Sequence, residues 1–166
     1  QIVAYTGGDI SIDGQAFWRS NLEPLRQLST VPDRIWKSAN TKTQESPNHW
    51  FQADSYFTEN QYDQIILFPH RYADAVSKYG ENTIIKNGTA PWRIRQLYQM
   101  ALQAFKTGDM KSALEFAGAM THYIGDLAQP LHASENFDGQ LTNNKGIHAY
   151  FETTIIKDEM LIRAEV

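Results

Sequence analysis

The stretch APWRIRQLYQMALQAFKTGDMKSALEFAGAMTHYIGDLAQP, residues 90–130, decides the fold. Pro91 is tolerated in a first helical turn, and Trp92, Leu97, Ala101, Ala104 and Phe105 then recur at helical spacing until Gly108. Asp109 is a good N-cap, and the next apolar series runs to about Ala128, where Pro130 forbids continuation. The spacing predicts two consecutive helices, Ala90–Thr107 and Asp109–Ala128, joined by a tight turn. Outward from this pair, Tyr72, Ala75, Val76 and Tyr79 predict a helix over 69–79 ended by Gly80. A last helix is expected from Lys145 or Gly146 towards Arg163, and Gln15–Gln27 reads as a first helix that Pro24 interrupts or kinks. Leu28–Glu59 carries Pro32, Pro47 and many small polar residues and reads as a long irregular segment, while residues 1–12 read as a loop. Strand signals are poor, and the 166 residues show no repeat or linker, so the expectation is one all-α domain over 1–166 with long irregular loops.

Composition narrows the function classes. A formal charge of −4 argues against a dedicated nucleic-acid binder. With no cysteine, any transition metal must be held by nitrogen and oxygen. No apolar run approaches the roughly 18 residues of a membrane span. The sequon Asn87-Gly88-Thr89 carries little weight, since such triplets arise by chance.

The chemistry lies in the pattern His122-x3-Asp126-x5-His132-x15-His148-x3-Glu152. Residues four apart on a helix share a face, about 6 Å apart along the axis, so His122 with Asp126 and His148 with Glu152 are two imidazole–carboxylate pairs. His132 follows Pro130 and can turn back towards the second pair. One such pair is usually a solvated surface contact or a capped core histidine. Two pairs bracketing a third histidine, the first set among Ala117, Ala119, Met120, Tyr123, Ile124, Leu127 and Leu131, point to a metal such as Zn2+, because a carboxylate there needs a cation.

Thr121–Glu152, with the upstream hairpin Trp92–Met120 and its Lys-Thr-Gly-Asp-Met-Lys turn, resembles the signature of zinc-dependent phospholipase C, a branch of the phospholipase C / S1-P1 nuclease superfamily. Asn48-His49-Trp50-Phe51-Gln52-Ala53-Asp54 is similar to the family's His-aromatic segment, and Asp33 lies where the family keeps an aspartate ligand. The resemblance implies a helical domain of the phospholipase C / P1 nuclease type. It implies one zinc on Asp33, His49, His122 and Asp126, with Asp126 able to bridge, and a second on His132, His148 and Glu152. Asp33 would also accept the proton of the attacking water. Glu152, where nucleases of the family usually carry aspartate, and the Lys145-Gly146-x-His148 approach favour the lipase branch.

The implied activity is hydrolysis of a phospholipid or other phosphodiester by metal-activated water. The alternatives are an S1-P1-type single-strand nuclease or nucleotidase, and a catalytically degenerate zinc-binding homologue. The family's third zinc uses an N-terminal tryptophan and a nearby histidine. This chain starts at Gln1 and has no histidine before His49, so two zinc ions are expected, a third only if missing N-terminal ligands are supplied, and the chain reads as truncated at both ends. The resemblance further implies a secreted or periplasmic monomer with at most peripheral membrane contact and no stable nucleic-acid complex. His70 reads as structural or superficial. Asp54 is open between ligand, partner of His49 and cap, and Trp50, Phe51, Tyr56 and Phe57 between core and head-group site.

Overall fold

The computed structural model describes residues 12–57 and 65–155, and among them no strand occurs. The protein is all-α. Helix α1 (Ile12–Ser20) and α2 (Leu22–Leu28) lead into a π turn at Pro32–Trp36. A one-turn helix α3 (Lys42–Glu45) continues as 3₁₀ turn Ser46–His49, and another 3₁₀ turn covers Ala53–Ser55. Helices α4 (Tyr72–Tyr79) and α5 (Glu81–Asn87) precede the long pair α6 (Ala90–Lys106) and α7 (Met110–Ala128). After 3₁₀ turn Pro130–His132 comes a loop, then the short α8 (Ile147–Ala149) continued by a π turn at Tyr150–Ile155. None of the described helices is long and apolar enough to cross a membrane.

The α6–α7 pair forms where its sequence predicts it. The Asp109 carboxylate accepts from Ser112 N–H at 3.1 Å and caps α7. Leu97 of α6 and Ala119 and Tyr123 of α7 form the buried cluster, with Trp36, Ile94, Phe116 and Met120 packed around it. Burying a side chain such as Leu97 contributes about 1.5–3 kcal/mol. Helix α2 lies against α7 so closely that a Cβ at Gly118 would stand 2.4 Å from Leu28 Cβ. That approach holds the α2 end, and the Asp33 turn after it, beside α7.

Several expectations change. Pro24 does not interrupt a helix. It sits in the first turn of α2, where its missing N–H costs no hydrogen bond, and the break falls at Asn21, whose Nδ2 donates to Phe17 O at 2.8 Å. As far as Phe57, the segment expected to be irregular over Leu28–Glu59 is mostly short turns. Helix α5 was not anticipated, and the last helix is only one turn before it widens to π geometry at Tyr150–Ile155. The expectations for residues 1–11, 58–59 and 156–166 lie outside the described residues.

Candidate metal centre

Three segments, the Asp33 turn, the His49 turn and the chain after α7, converge on the part-buried His122–Asp126 face of α7. The His49 segment is fixed by the corner after α5: Gln52 N–H donates to Asn87 O at 2.7 Å and Thr89 N–H to Pro47 O at 2.7 Å. Gly88, at φ +98°, makes this corner possible, since a Cβ there would stand 2.0 Å from Trp50 O. The same segment then runs beside the end of α7. Phe51 N–H donates to His132 O at 2.9 Å and Ala53 N–H to Ala133 O at 3.1 Å. Backbone pairing thus ties the first histidine to the third.

Asp33, His49, His122 and Asp126 form the first cluster. His49 Nδ1 lies 2.9 Å from Asp126 Oδ2 and 3.0 Å from His122 Nε2, which is 3.3 Å from the same carboxylate oxygen. The Asp33 oxygens stand 3.8 Å from His49 Nδ1 and 3.7 Å from His122 Nε2. These separations bracket the roughly 3.4 Å edge of a tetrahedron with 2.0–2.2 Å metal–ligand bonds. Burial lowers the His122 pKa against the opposing pull of Asp126 and Asp33, favouring the neutral imidazole that a metal requires. Asp33 is the open edge: its side chain is 53% exposed, and Lys37 Nζ lies 3.4 Å from Oδ1.

His132, His148 and Glu152 form the second cluster, with their three ligand atoms 3.0–3.2 Å apart. His132 Nδ1–H donates to His49 O at 2.8 Å, and His148 Nδ1–H donates to Phe137 O at 3.0 Å. A carbonyl only accepts, so both protons are fixed on Nδ1 and both Nε2 atoms present lone pairs to each other and to Glu152 Oε1. One extra proton relieves a single edge of that triangle, whereas a cation near its centre satisfies all three. Burial tends to raise the Glu152 pKa, but the hydrogen bond from Gln129 and the two imidazoles outweigh it and keep the carboxylate ionised. Asp126 lies between the clusters, with Oδ1 3.7 Å from His132 Nδ1.

The remaining candidates separate. Asp54 clamps the loop after His132, accepting from Ser134 Oγ and Glu135 N–H at 2.7 Å each, so the ligand and His49-partner readings give way to a cap-like role. Phe51 and Tyr56 join Phe68, Tyr79 and Trp92 in an aromatic cluster, and Phe57 touches its edge at Phe68. Trp50 instead walls a recess of about 510 Å³ next to His132 and His148, shared with Lys86, Leu131 and Phe137. His70 is exposed at the approach to α4. Asn87 of the sequon is 6% exposed, which leaves its amide out of reach of a glycan.

Sequence reasoning missed Glu45. It is buried, takes a hydrogen bond from the Tyr123 hydroxyl, and faces His49. Its signal is visible afterwards: Glu45-x3-His49 has the same spacing as His122-x3-Asp126, but Pro47 between them argued against a helix.

The chain is 38% identical over 63 residues to phospholipase C of Bacillus cereus, covering 37% of this chain and 22% of that protein. It is similar over part of its length to phospholipase C. It is also 30% identical over 92 residues to a probable serine protease of Bradyrhizobium tropiciagri, covering 45% of this chain and 12% of that protein. The chain therefore spans less than a quarter of either relative. No family model matches the chain, and no solved structure matches it. Among the described residues no serine hydroxyl hydrogen-bonds an imidazole. The histidines of the two clusters are partnered by carboxylates, other imidazoles and backbone carbonyls.

Proposed function

We propose that this protein is a zinc-dependent phosphoric ester hydrolase that cleaves a phospholipid head group in the manner of phospholipase C. The observation that carries the proposal is the pair of Nε2 lone pairs on His132 and His148, fixed towards one carboxylate oxygen by carbonyl-bound Nδ1 protons. The partial similarity to phospholipase C supports it. Asp33, His49, His122 and Asp126 would hold one Zn2+, and His132, His148 and Glu152 another. Zinc at these positions would supply Lewis acidity towards a phosphoryl oxygen and would bring the pKa of water to about 7.

The protein's own groups do the rest. Asp33, exposed at the edge of its cluster, accepts the proton of the attacking water at an Oδ atom. Asp126 turns Oδ2 to His49 and His122 and stands with Oδ1 3.7 Å from the back of the His132 ring. The carbonyls of His49 and Phe137 keep the second pair of imidazoles in the ligating tautomer. A secreted or periplasmic location, a monomeric state and peripheral contact with lipid belong to the same reading and rest on the resemblance.

The recess walled by Trp50 and Phe137 favours a second reading. Two aromatic faces with Lys86 beside a phosphodiester centre suit a stacked base, as in a single-strand nuclease. Zinc content by mass spectrometry, on the sample assayed with a choline phospholipid and with single-stranded DNA, separates the readings. Two zinc ions with phospholipid turnover is the expected result. Turnover of DNA alone selects the nuclease, zinc without turnover selects a degenerate homologue, and no zinc after reloading ends the proposal.

A further inference from the structure

Behind the first cluster lies a buried polar group that no ligand assignment uses. His49 turns Nδ1 towards Asp33, His122 and Asp126, so its Nε2 points away from them into the protein. Nε2 is fully buried with no hydrogen-bond partner. The carboxylate facing it is Glu45, whose Oε1 is 3.8 Å away, about 0.8 Å longer than a hydrogen bond. Glu45 is itself 8% exposed and held from three sides. The Tyr123 hydroxyl donates to Oε1, Asn48 Nδ2 donates to Oε2 at 3.2 Å, and Arg93 Nη2 stands 3.7 Å from Oε2. Thr89 Oγ1 donates to Asn48 Oδ1 at 2.8 Å, and Arg93 is braced over the rings of Trp36 and Tyr123. A buried carboxylate met by this many donors is held in one orientation, and a buried imidazole N–H needs an acceptor.

We infer that Glu45, anchored by Tyr123, Asn48 and Arg93, is the positioning residue of His49: it accepts the Nε2 proton and so presents the Nδ1 lone pair to a cation held by Asp33, His122 and Asp126. The inference rests on the metal-centre reading of the first cluster. It assigns that cluster a carboxylate–imidazole relay, whereas the second cluster uses backbone carbonyls for the same purpose. An anionic acceptor makes the imidazole a stronger donor to a cation than a carbonyl does, and loss of such an outer partner costs about 10–100-fold in metal affinity.

The test is chelator-competition titration of Zn2+ into the full chain and into Glu45→Gln, with ¹⁵N-histidine spectra of the zinc-loaded proteins. We expect Glu45→Gln to bind zinc 10–100-fold more weakly at the first cluster only. The His49 Nε2–H signal should shift, while those of His132 and His148 stay in place. A Glu45 that merely fills the core would lower the melting temperature and leave both the first-cluster affinity and the His49 signal unmoved, and that result overturns the inference. If Glu45→Gln does not fold, Tyr123→Phe removes one anchor and keeps the carboxylate. It should give a smaller loss at the same cluster, and unchanged affinity there overturns the inference too. A wild-type chain that takes up no zinc brings down the metal-centre reading and this inference together. Zinc uptake unaffected by either variant brings down the role of Glu45 alone.

Discussion

The two clusters are built by different means. The first brings two segments, the Asp33 turn and the His49 turn, onto α7 and sits over the protein core: His49 is buried, and Tyr123, one residue after His122, is completely so. The second is made of residues after α7, on a 3₁₀ turn, the one-turn helix α8 and the π turn that continues it, with side chains 15%, 24% and 40% exposed. The core holds His49, His122 and Asp126 of the first, while its fourth member, Asp33, stays 53% exposed at the edge. The second depends on local loop geometry and two carbonyls. Loss of a framework contact should therefore cost more fold stability at the first cluster than at the second.

The most damaging change should be at the corner both clusters share. Gly88→Ala places a Cβ against Trp50 O at φ +98° and should cost roughly 4 kcal/mol, with zinc lost from both sites. Thermal unfolding together with metal analysis checks it. An unaltered melting temperature would mean that the close approach is not what seats His49.

Next in size, His122→Ala should weaken zinc at the first cluster by more than about 100-fold, beyond the loss of any outer partner, and leave the second loaded. Metal content would fall from two to one by this reading. Loss of both ions would show that the clusters are not independent and that Asp126 couples them tightly.

Glu152→Gln sharpens the contrast from the other side. It keeps the shape of an exposed side chain but removes its charge, so metal-free stability should change by no more than about 0.5 kcal/mol. Zinc at the second cluster should weaken by more than the roughly 10-fold that loss of an outer partner alone costs, as read by titration. A large loss of fold stability would contradict the picture of a loosely built second site.

The smallest effect is expected at Asp54→Asn, which weakens the clamp on Ser134 and Glu135 by about 1–2 kcal/mol. Faster amide exchange confined to the 133–138 loop is the expected signature. Protection lost at residues 47–52 instead would place Asp54 in the support of the first cluster.

Much of this was legible in residue order. The Asp109 cap, Pro91 and Pro130 mark the ends of α6 and α7, and local backbone chemistry decides such ends. Histidines and carboxylates four apart on helices must share a face, so each helical pair could be read without a structure. Asp33 and His49 came only from resemblance, since their segments carry no period from which a face could be deduced.

Sequence alone therefore determined the helical class, the central pair and the nitrogen and oxygen donors of its helical pairs, because these depend on short-range geometry and on side-chain chemistry. Only the tertiary structure decided that the Gly88 corner brings His49 to His122, that the carbonyls of His49 and Phe137 fix two tautomers, and that Glu45 stands behind His49. These relations join residues up to 83 positions apart, as His132 and His49 are, and such contacts follow from packing and chain reversal, which no local pattern encodes.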